Sequence, residues 1–245
     1  LLLALIKYAE DRLNVEHDIQ GGGARVIVLV EDNPVFYSAY LPMLYTEIVD
    51  QTQKLMEEGI NLSHRLLRMR ARPKILLATS FEEAWGWFER YQNSLLGVIS
   101  DGRFPWGGQS VENAGVSFIK QVKAVDAHMP TVLQSTNLDL RAEAEAVGSG
   151  FIHKNSPQLL RDLRRFMAVN FGFGDFIFRG EDGEEVARAH DLRELVRRLG
   201  EVPDDVLVRH AENDHFSTWL RARTEFTLAA MIRPRRPDEF DSVDD

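Results

Sequence analysis

Five times along this chain a short run of β-branched and aliphatic residues ends on a polar or charged side chain, and a helix-like stretch separates each run from the next. The runs are residues 25–30 (Arg-Val-Ile-Val-Leu-Val), 74–79, 95–100, 130–134 and 150–153. Unbroken apolar runs of this length suit strands buried on both faces of a parallel sheet. The stretches 81–92, 114–127, 139–147 and 159–169 have helical character, with Val116, Ile119 and Val122 on one stripe of the second. Strand and helix alternating in this way predict an α/β fold built on a doubly wound, five-stranded parallel sheet.

One connection does not fit a single crossover. Residues 34–73 between the first and second runs are too many, so a long helical insertion is expected after strand 1, kinked or broken at Pro42 and divided at Gly59-Ile60-Asn61. Residues 1–15 read as a helix, and Gly21-Gly22-Gly23 as a flexible joint after it. The chain opens mid-pattern without methionine, so residues 1–24 are expected to be a helix and Gly-rich linker from an upstream domain. From residue 171 the pattern changes. Two short runs flank Gly180-Glu-Asp-Gly183, a β-hairpin signal with an Asp-Gly turn, and Asp191 is placed to cap a helix ending near Gly200. Residues 171–245 are therefore a small C-terminal module of hairpin plus helices, with a polar tail from Arg233.

In doubly wound sheets ligands bind beyond the carboxyl ends of the strands. Here those ends carry Glu31-Asp32, Asp101, Ser135-Thr136 and Lys154. Three carboxylates, a hydroxyl and an ammonium would meet on one rim. Clustered carboxylates repel unless a cation joins them, and an all-oxygen set suits Mg2+. Such a site fits phosphoryl chemistry: Mg2+ would screen the incoming group, and Lys154 and Ser135 would hold its oxygens. Each residue alone has an ordinary structural reading, as a turn, a cap or a solvated lysine. The joint pattern on successive strand ends separates this set from those readings.

That pattern, with Asp101-Gly-Arg-Phe-Pro105, Pro130-Thr-Val-Leu-Gln-Ser135 and Ala146-Val-Gly-Ser-Gly-Phe-Ile-His-Lys154, resembles the receiver domain of bacterial two-component response regulators over residues 25–170. The resemblance implies a flavodoxin-like fold and a phosphoacceptor at Asp101, charged with Mg2+ by a sensor histidine kinase or a small phosphodonor. It implies metal ligation by Asp32 and Asp101, by Glu31 through water and by the backbone carbonyl of Arg103. It makes Ser135 and Phe151 the switch pair, with Thr136 beside them where the family usually has a smaller residue. Asn155 replaces a common proline. An output domain in the same or another chain, and a homodimer, are the expected partners. The stretch 1–67, including Asn14-Val-Glu-His17 and Gln51-Thr-Gln53, is similar to regulatory regions fused to phosphoenolpyruvate synthase-like proteins. Residues 176–220 are similar to a small module of unassigned role in multidomain prokaryotic proteins. No enzymatic activity is expected within these residues.

A scaffold of the same fold that is never phosphorylated is the alternative, although it would not need all five groups. A haloacid-dehalogenase-like phosphatase would need Asp-x-Asp, whereas Glu31 and Asp32 are adjacent. A formal net charge of −9 argues against a nucleic-acid surface, and the apolar run 1–6 is too short to span a membrane. The absence of cysteine agrees with a reducing cytoplasm. His210 and His215, five apart, lack zinc spacing. His153 is expected to face away from Lys154. Trp85, Trp87 and Phe88 are read as packing a helix on the sheet, and Arg65, Arg68, Arg70 and Arg72 as a solvated face.

Overall fold

The structure, a computed structural model, describes residues 2–57 and 61–233. It divides into two compact units, Leu1–Phe166 and Met167–Asp245.

In the first unit the five apolar runs are strands: β1 (Val26–Val30), β2 (Lys74–Ala78), β3 (Leu95–Asp101), β6 (Thr131–Ser135) and β7 (Gly150–His153). Every residue of the first four is buried. They form one sheet in the order β2-β1-β3-β6-β7, and all four pairings are parallel. With only these five strands numbered, this is the flavodoxin-like order 2-1-3-4-5. The order reverses between β1 and β3, whose registers align Val30 with Ser100. Glu31 and Asp101 are the next residues, side by side on the rim.

The helices follow the sequence pattern in most places. After β2, α4 (Phe81–Tyr91) starts at Ser80, whose hydroxyl accepts from the Glu83 amide. It buries Phe81, Ala84, Phe88 and Tyr91, and Trp85 and Trp87 pack partly buried against the same core. Helices α5 (Ala114–Val125), α6 (Leu140–Ala146) and α7 (Leu159–Asn170) follow β3, β6 and β7.

Three expectations are corrected. The first helix, α1 (Leu2–Gly22), runs through Gly21 and Gly22, so those glycines form no joint; Gly23, at φ 67°, ends it in the left-handed conformation. Burial explains the extra turns. Asp11 is fully buried and accepts from the Tyr45 hydroxyl (2.9 Å), the Ile75 amide (3.0 Å) and the Arg72 guanidinium (2.7 Å), which ties α1 to β2. The second helix, α2 (Pro34–Glu57), continues through Pro42 without a break. Proline inside a helix costs about 3 kcal/mol. Fully burying Tyr40, Leu41 and Leu44 around it returns roughly 1.5–3 kcal/mol each and outweighs that. The insertion continues in α3 (Leu62–Arg70), where Arg68 is buried and bonds the Leu55 carbonyl rather than lying on a solvated face. The division expected at Gly59-Ile60 lies outside the described residues.

One element is an addition. Between β3 and α5 lies an antiparallel hairpin, β4 (Phe104–Trp106) and β5 (Gln109–Val111). Gly107 and Gly108 turn it with φ of 62° and 77°, a backbone that two glycines adopt without strain. Phe104 is fully buried, and Trp106 stacks on Phe81 at 4.1 Å.

The second unit pairs β8 (Phe176–Arg179) with β9 (Glu185–Ala189) as an antiparallel hairpin. Helices α8 (Leu192–Leu199), α9 (Asp204–Glu212), α10 (His215–Ala222) and α11 (Phe226–Ile232) complete it. Asp191 caps α8 by accepting from the Glu194 amide at 2.8 Å. The core gathers Phe176, Phe178, Leu195, Val206, Trp219 and Leu220. The polar tail lies outside the described residues, apart from Arg233. Among the described residues no helix is long and apolar enough to cross a membrane.

Candidate functional site

Each strand of the rim delivers its last side chain to one place. Glu31 follows β1 and is buried, its amide held by the Ala78 carbonyl at 2.9 Å. Asp32 beside it is exposed. Asn33 turns the chain into α2: its amide donates to Glu31 Oε1 (3.2 Å) and its side-chain oxygen accepts from the Val35 amide (2.9 Å). Asp101 ends β3, and its Oδ1 accepts from the Gly102 amide at 2.6 Å. Carboxylate oxygens of Glu31, Asp32 and Asp101 come within 4.8 Å of one another.

Lys154 follows β7, anchored by its amide to the Ser135 carbonyl at 3.0 Å. Its Nζ is 2.7 Å from Glu31 Oε2 and 2.7 Å from Asp101 Oδ2, with a side chain 4% exposed. Phe36 of α2 lies over that ammonium, 4.2 Å from Nζ to the ring centroid.

Two glycines allow this close assembly. A Cβ on Gly102 would stand 2.8 Å from Ser135 Oγ, so the hydroxyl that ends β6 lies directly beside the Asp101 turn. A Cβ on Gly115, in the first turn of α5, would stand 1.9 Å from the Asp101 carbonyl oxygen. That close approach brings the Gly115 amide to the Gly102 carbonyl at 3.0 Å.

Charge is unbalanced here. Burial pushes the Glu31 carboxyl up to about 7, and the neighbouring Asp101 carboxylate adds to the shift against the pull of Lys154. Burial also raises Asp101, with Lys154 and the Gly102 and Arg103 amides opposing. Two buried carboxylates share one ammonium, with a third, exposed carboxylate alongside. A hard cation with oxygen preference is the ligand such a donor set accepts.

The remaining sequence candidates lie around this centre. Ser135 Oγ accepts from the Asn137 amide at 3.0 Å. Thr136 is exposed, and its carbonyl lies 3.3 Å from His153 Nε2. Phe151 is half-buried beneath the Arg141 guanidinium, 4.7 Å from its ring centroid. Arg103 follows two residues after Asp101, and its guanidinium pairs with Glu112 at 3.1 Å in solvent. Phe36, Asn33 and Gly115 are additions that sequence reading missed. A glycine opening the helix after Asp101 was the available signal for Gly115. Among the described residues His210 and His215 join no cluster that could hold a metal; their Nδ1 atoms are 2.9 Å apart, a hydrogen bond between rings.

No protein-family model matches the sequence, and no characterised protein matches it either. Solved structures do. A response regulator receiver domain protein from Clostridium thermocellum is similar at 18% identity, over 59% of this chain and 91% of that one, with a TM-score of 0.42. CheY in a CheX-CheY complex with beryllofluoride and Mg2+ from Borrelia burgdorferi is similar at 18% identity, over 59% and 88%, at 0.39. A phosphorylated cyanobacterial phytochrome response regulator gives 15%, over 60% and 94%, at 0.39. The parallel order 2-1-3-4-5 decides the architecture by itself. The first unit has the flavodoxin-like fold. In a doubly wound sheet of this order the switch point between β1 and β3 is where a ligand binds, and Glu31 and Asp101 stand on its two sides.

Proposed function

We propose that residues 25–170 work as a cytoplasmic phosphoacceptor switch, charged on Asp101 by a sensor histidine kinase or a small phosphodonor. The observation that carries this reading is the position of Lys154 Nζ, 2.7 Å from both Glu31 and Asp101. Two buried carboxylates share this one ammonium beside a third, exposed carboxylate, which leaves negative charge for a cation to balance and a donor for a phosphoryl group.

Glu31, Asp32 and Asp101, with the Arg103 carbonyl, would hold Mg2+. Bound there, Mg2+ would neutralise charge on the phosphodonor. An Asp101 carboxylate oxygen attacks phosphorus, and the bond to the donor's leaving atom breaks, an imidazole nitrogen in a phosphohistidine or an acyl oxygen in a small phosphodonor, that atom departing with the electron pair. Lys154 turns a donor from Asp101 to a phosphoryl oxygen, and Ser135 donates its hydroxyl to another. Moving Ser135 opens space for Phe151, which carries the change to the surface of β6 and β7. The output lies outside these residues, and a phosphoenolpyruvate synthase-like enzyme is the output that the sequence resemblance favours.

Acetyl phosphate and Mg2+ should add one phosphoryl group, seen by intact-mass spectrometry, and Asp101→Asn should abolish it. A wild-type protein that stays unlabelled, with Mg2+ and without, overturns the reading in favour of an unphosphorylated scaffold.

A further inference from the structure

We propose that Phe36 is a positioning residue for Lys154, its ring face holding the ammonium in line with Asp101 for phosphoryl transfer. This rests on the phosphoacceptor reading above.

An ammonium has three donors. Two of those on Lys154 are directed to Glu31 Oε2 and Asp101 Oδ2, each at 2.7 Å. The Phe36 ring lies 4.2 Å from the same nitrogen, within the range of a cation–π contact. At 4% exposure little water reaches the lysine, so the ring face takes the place that water would fill. It does so without adding an oxygen acceptor. A third oxygen would compete with the phosphoryl group for the lysine's donors, whereas a ring face attracts the charge without fixing any one N–H. Lys154 can therefore turn about its last bond and redirect a donor from Asp101 to a phosphoryl oxygen while staying over the ring.

The chain builds this contact with three devices. Phe36 is the third residue of α2, and the Asn33 side chain fixes that helix start by accepting from the Val35 amide at 2.9 Å. Glu31 accepts from the Asn33 amide at 3.2 Å while pairing with Lys154, so one carboxylate orients both the cation and the turn that presents the ring. Tyr40, one helical turn further, is fully buried and stacks on Phe36 with centroids 6.0 Å apart. That stack braces the Phe36 ring within its own helix.

The test uses the whole chain and two readouts. In the unphosphorylated protein the Lys154 side-chain methylene resonances, assigned by their loss in Lys154→Arg, should lie upfield from the ring current. Phe36→Tyr should keep that shift and Phe36→Leu, of similar bulk, should lose it. With acetyl phosphate and Mg2+, Phe36→Leu should be labelled about five- to tenfold more slowly than wild type. Phe36→Tyr should stay within about twofold, and 3,4,5-trifluorophenylalanine at position 36, with the ring's shape but a weakened face, should fall between. Lys154 resonances that are the same in wild type and Phe36→Leu would overturn the contact. A shift that is present but with equal labelling rates in all four proteins would overturn the positioning role. A wild type that takes up no phosphoryl group sinks the phosphoacceptor reading and this inference together, and its own labelling distinguishes that case from failure of the inference alone.

Discussion

Gly115→Ala should damage the sheet-bearing unit and its site together. The new methyl would lie 1.9 Å from the Asp101 carbonyl oxygen, 2.9 Å from the Asp101 carbonyl carbon and 2.7 Å from Leu133 Cδ1. Leu133 can change rotamer, but a strand carbonyl cannot. An ordinary methyl-to-oxygen contact is about 3.3 Å, so α5 and the end of β3 must part by roughly 1.4 Å. Overpacking of this kind costs about 1–3 kcal/mol, and the strained bond from the Gly115 amide to the Gly102 carbonyl adds about 1 kcal/mol. A loss of about 3 kcal/mol is expected. The control is Gly86→Ala in α4, where no atom lies within 4 Å of the new methyl. That substitution should stabilise by about 0.5–1 kcal/mol through helix propensity alone. Urea unfolding in a Trp219→Phe background, read through Trp85, Trp87 and Trp106, reports the first unit. A shift of Asp101 should also slow labelling by acetyl phosphate. If Gly115→Ala unfolds within about 0.5 kcal/mol of wild type, the close approach of α5 to Asp101 is wrong.

Two further outcomes concern charge. Lys154→Met should destabilise by about 3–5 kcal/mol near pH 8, because it leaves Glu31 and Asp101 buried without their shared cation. The loss should shrink toward pH 6: Glu31, already pushed up to about 7, binds protons more tightly folded than unfolded, so its contribution to stability rises as pH falls. Urea midpoints at the two pH values check this, and an equal loss at both contradicts it. In the second unit, His210 Nε2 accepts from the Arg179 amide at 2.9 Å, which leaves its Nδ1–H to donate to His215 Nδ1. Burial pushes His210 down to about 4, so the unfolded state takes up a proton first as pH falls. Stability of that unit should drop by up to about 3 kcal/mol between roughly pH 6.5 and 4, and His210→Gln should flatten the dependence. NMR titration showing His210 protonated at about pH 6 would contradict the buried neutral pair.

The sheet was legible because its signal is local: five apolar runs long enough to bury both faces, each ended by a polar residue. Its rim was legible for the same reason, since topology alone sends every strand end to one edge. What escaped depends on contacts distant in sequence. Gly21 and Gly22 read as a joint by propensity, yet Asp11 holds α1 through Tyr45, Arg72 and Ile75, up to 64 residues away. Pro42 read as a kink or a break, and the helix runs through it unbroken, because a lost helix bond shows in the sequence and the burial of Tyr40, Leu41 and Leu44 does not. The hairpin at residues 104–111 was within reach, for Gly107-Gly108 between short β-prone segments is a recognised turn signal. Nothing in the sequence sets Phe36 and Tyr40 apart from the other apolar residues of the insertion. Only the fold shows that one of them faces Lys154 and that the other supports it.

Two buried aspartates in the same unit show how environment separates structure from chemistry. Asp11 has more partners than its charge requires: two cations, Arg72 at 2.7 Å and Lys74 at 3.7 Å, with a tyrosine hydroxyl and a backbone amide. Every added ligand there would displace an existing bond, so the site can only hold the helix. Asp101 has the opposite balance. It shares one ammonium with Glu31, borders the exposed Asp32, and burial holds its carboxyl above the usual range. A carboxylate in that position gains from a cation, which relieves repulsion that folding alone leaves in place. The same residue type is a clamp at the start of β2 and, in the proposed function, the phosphoacceptor at the end of β3. The number of positive charges around each is what separates the two.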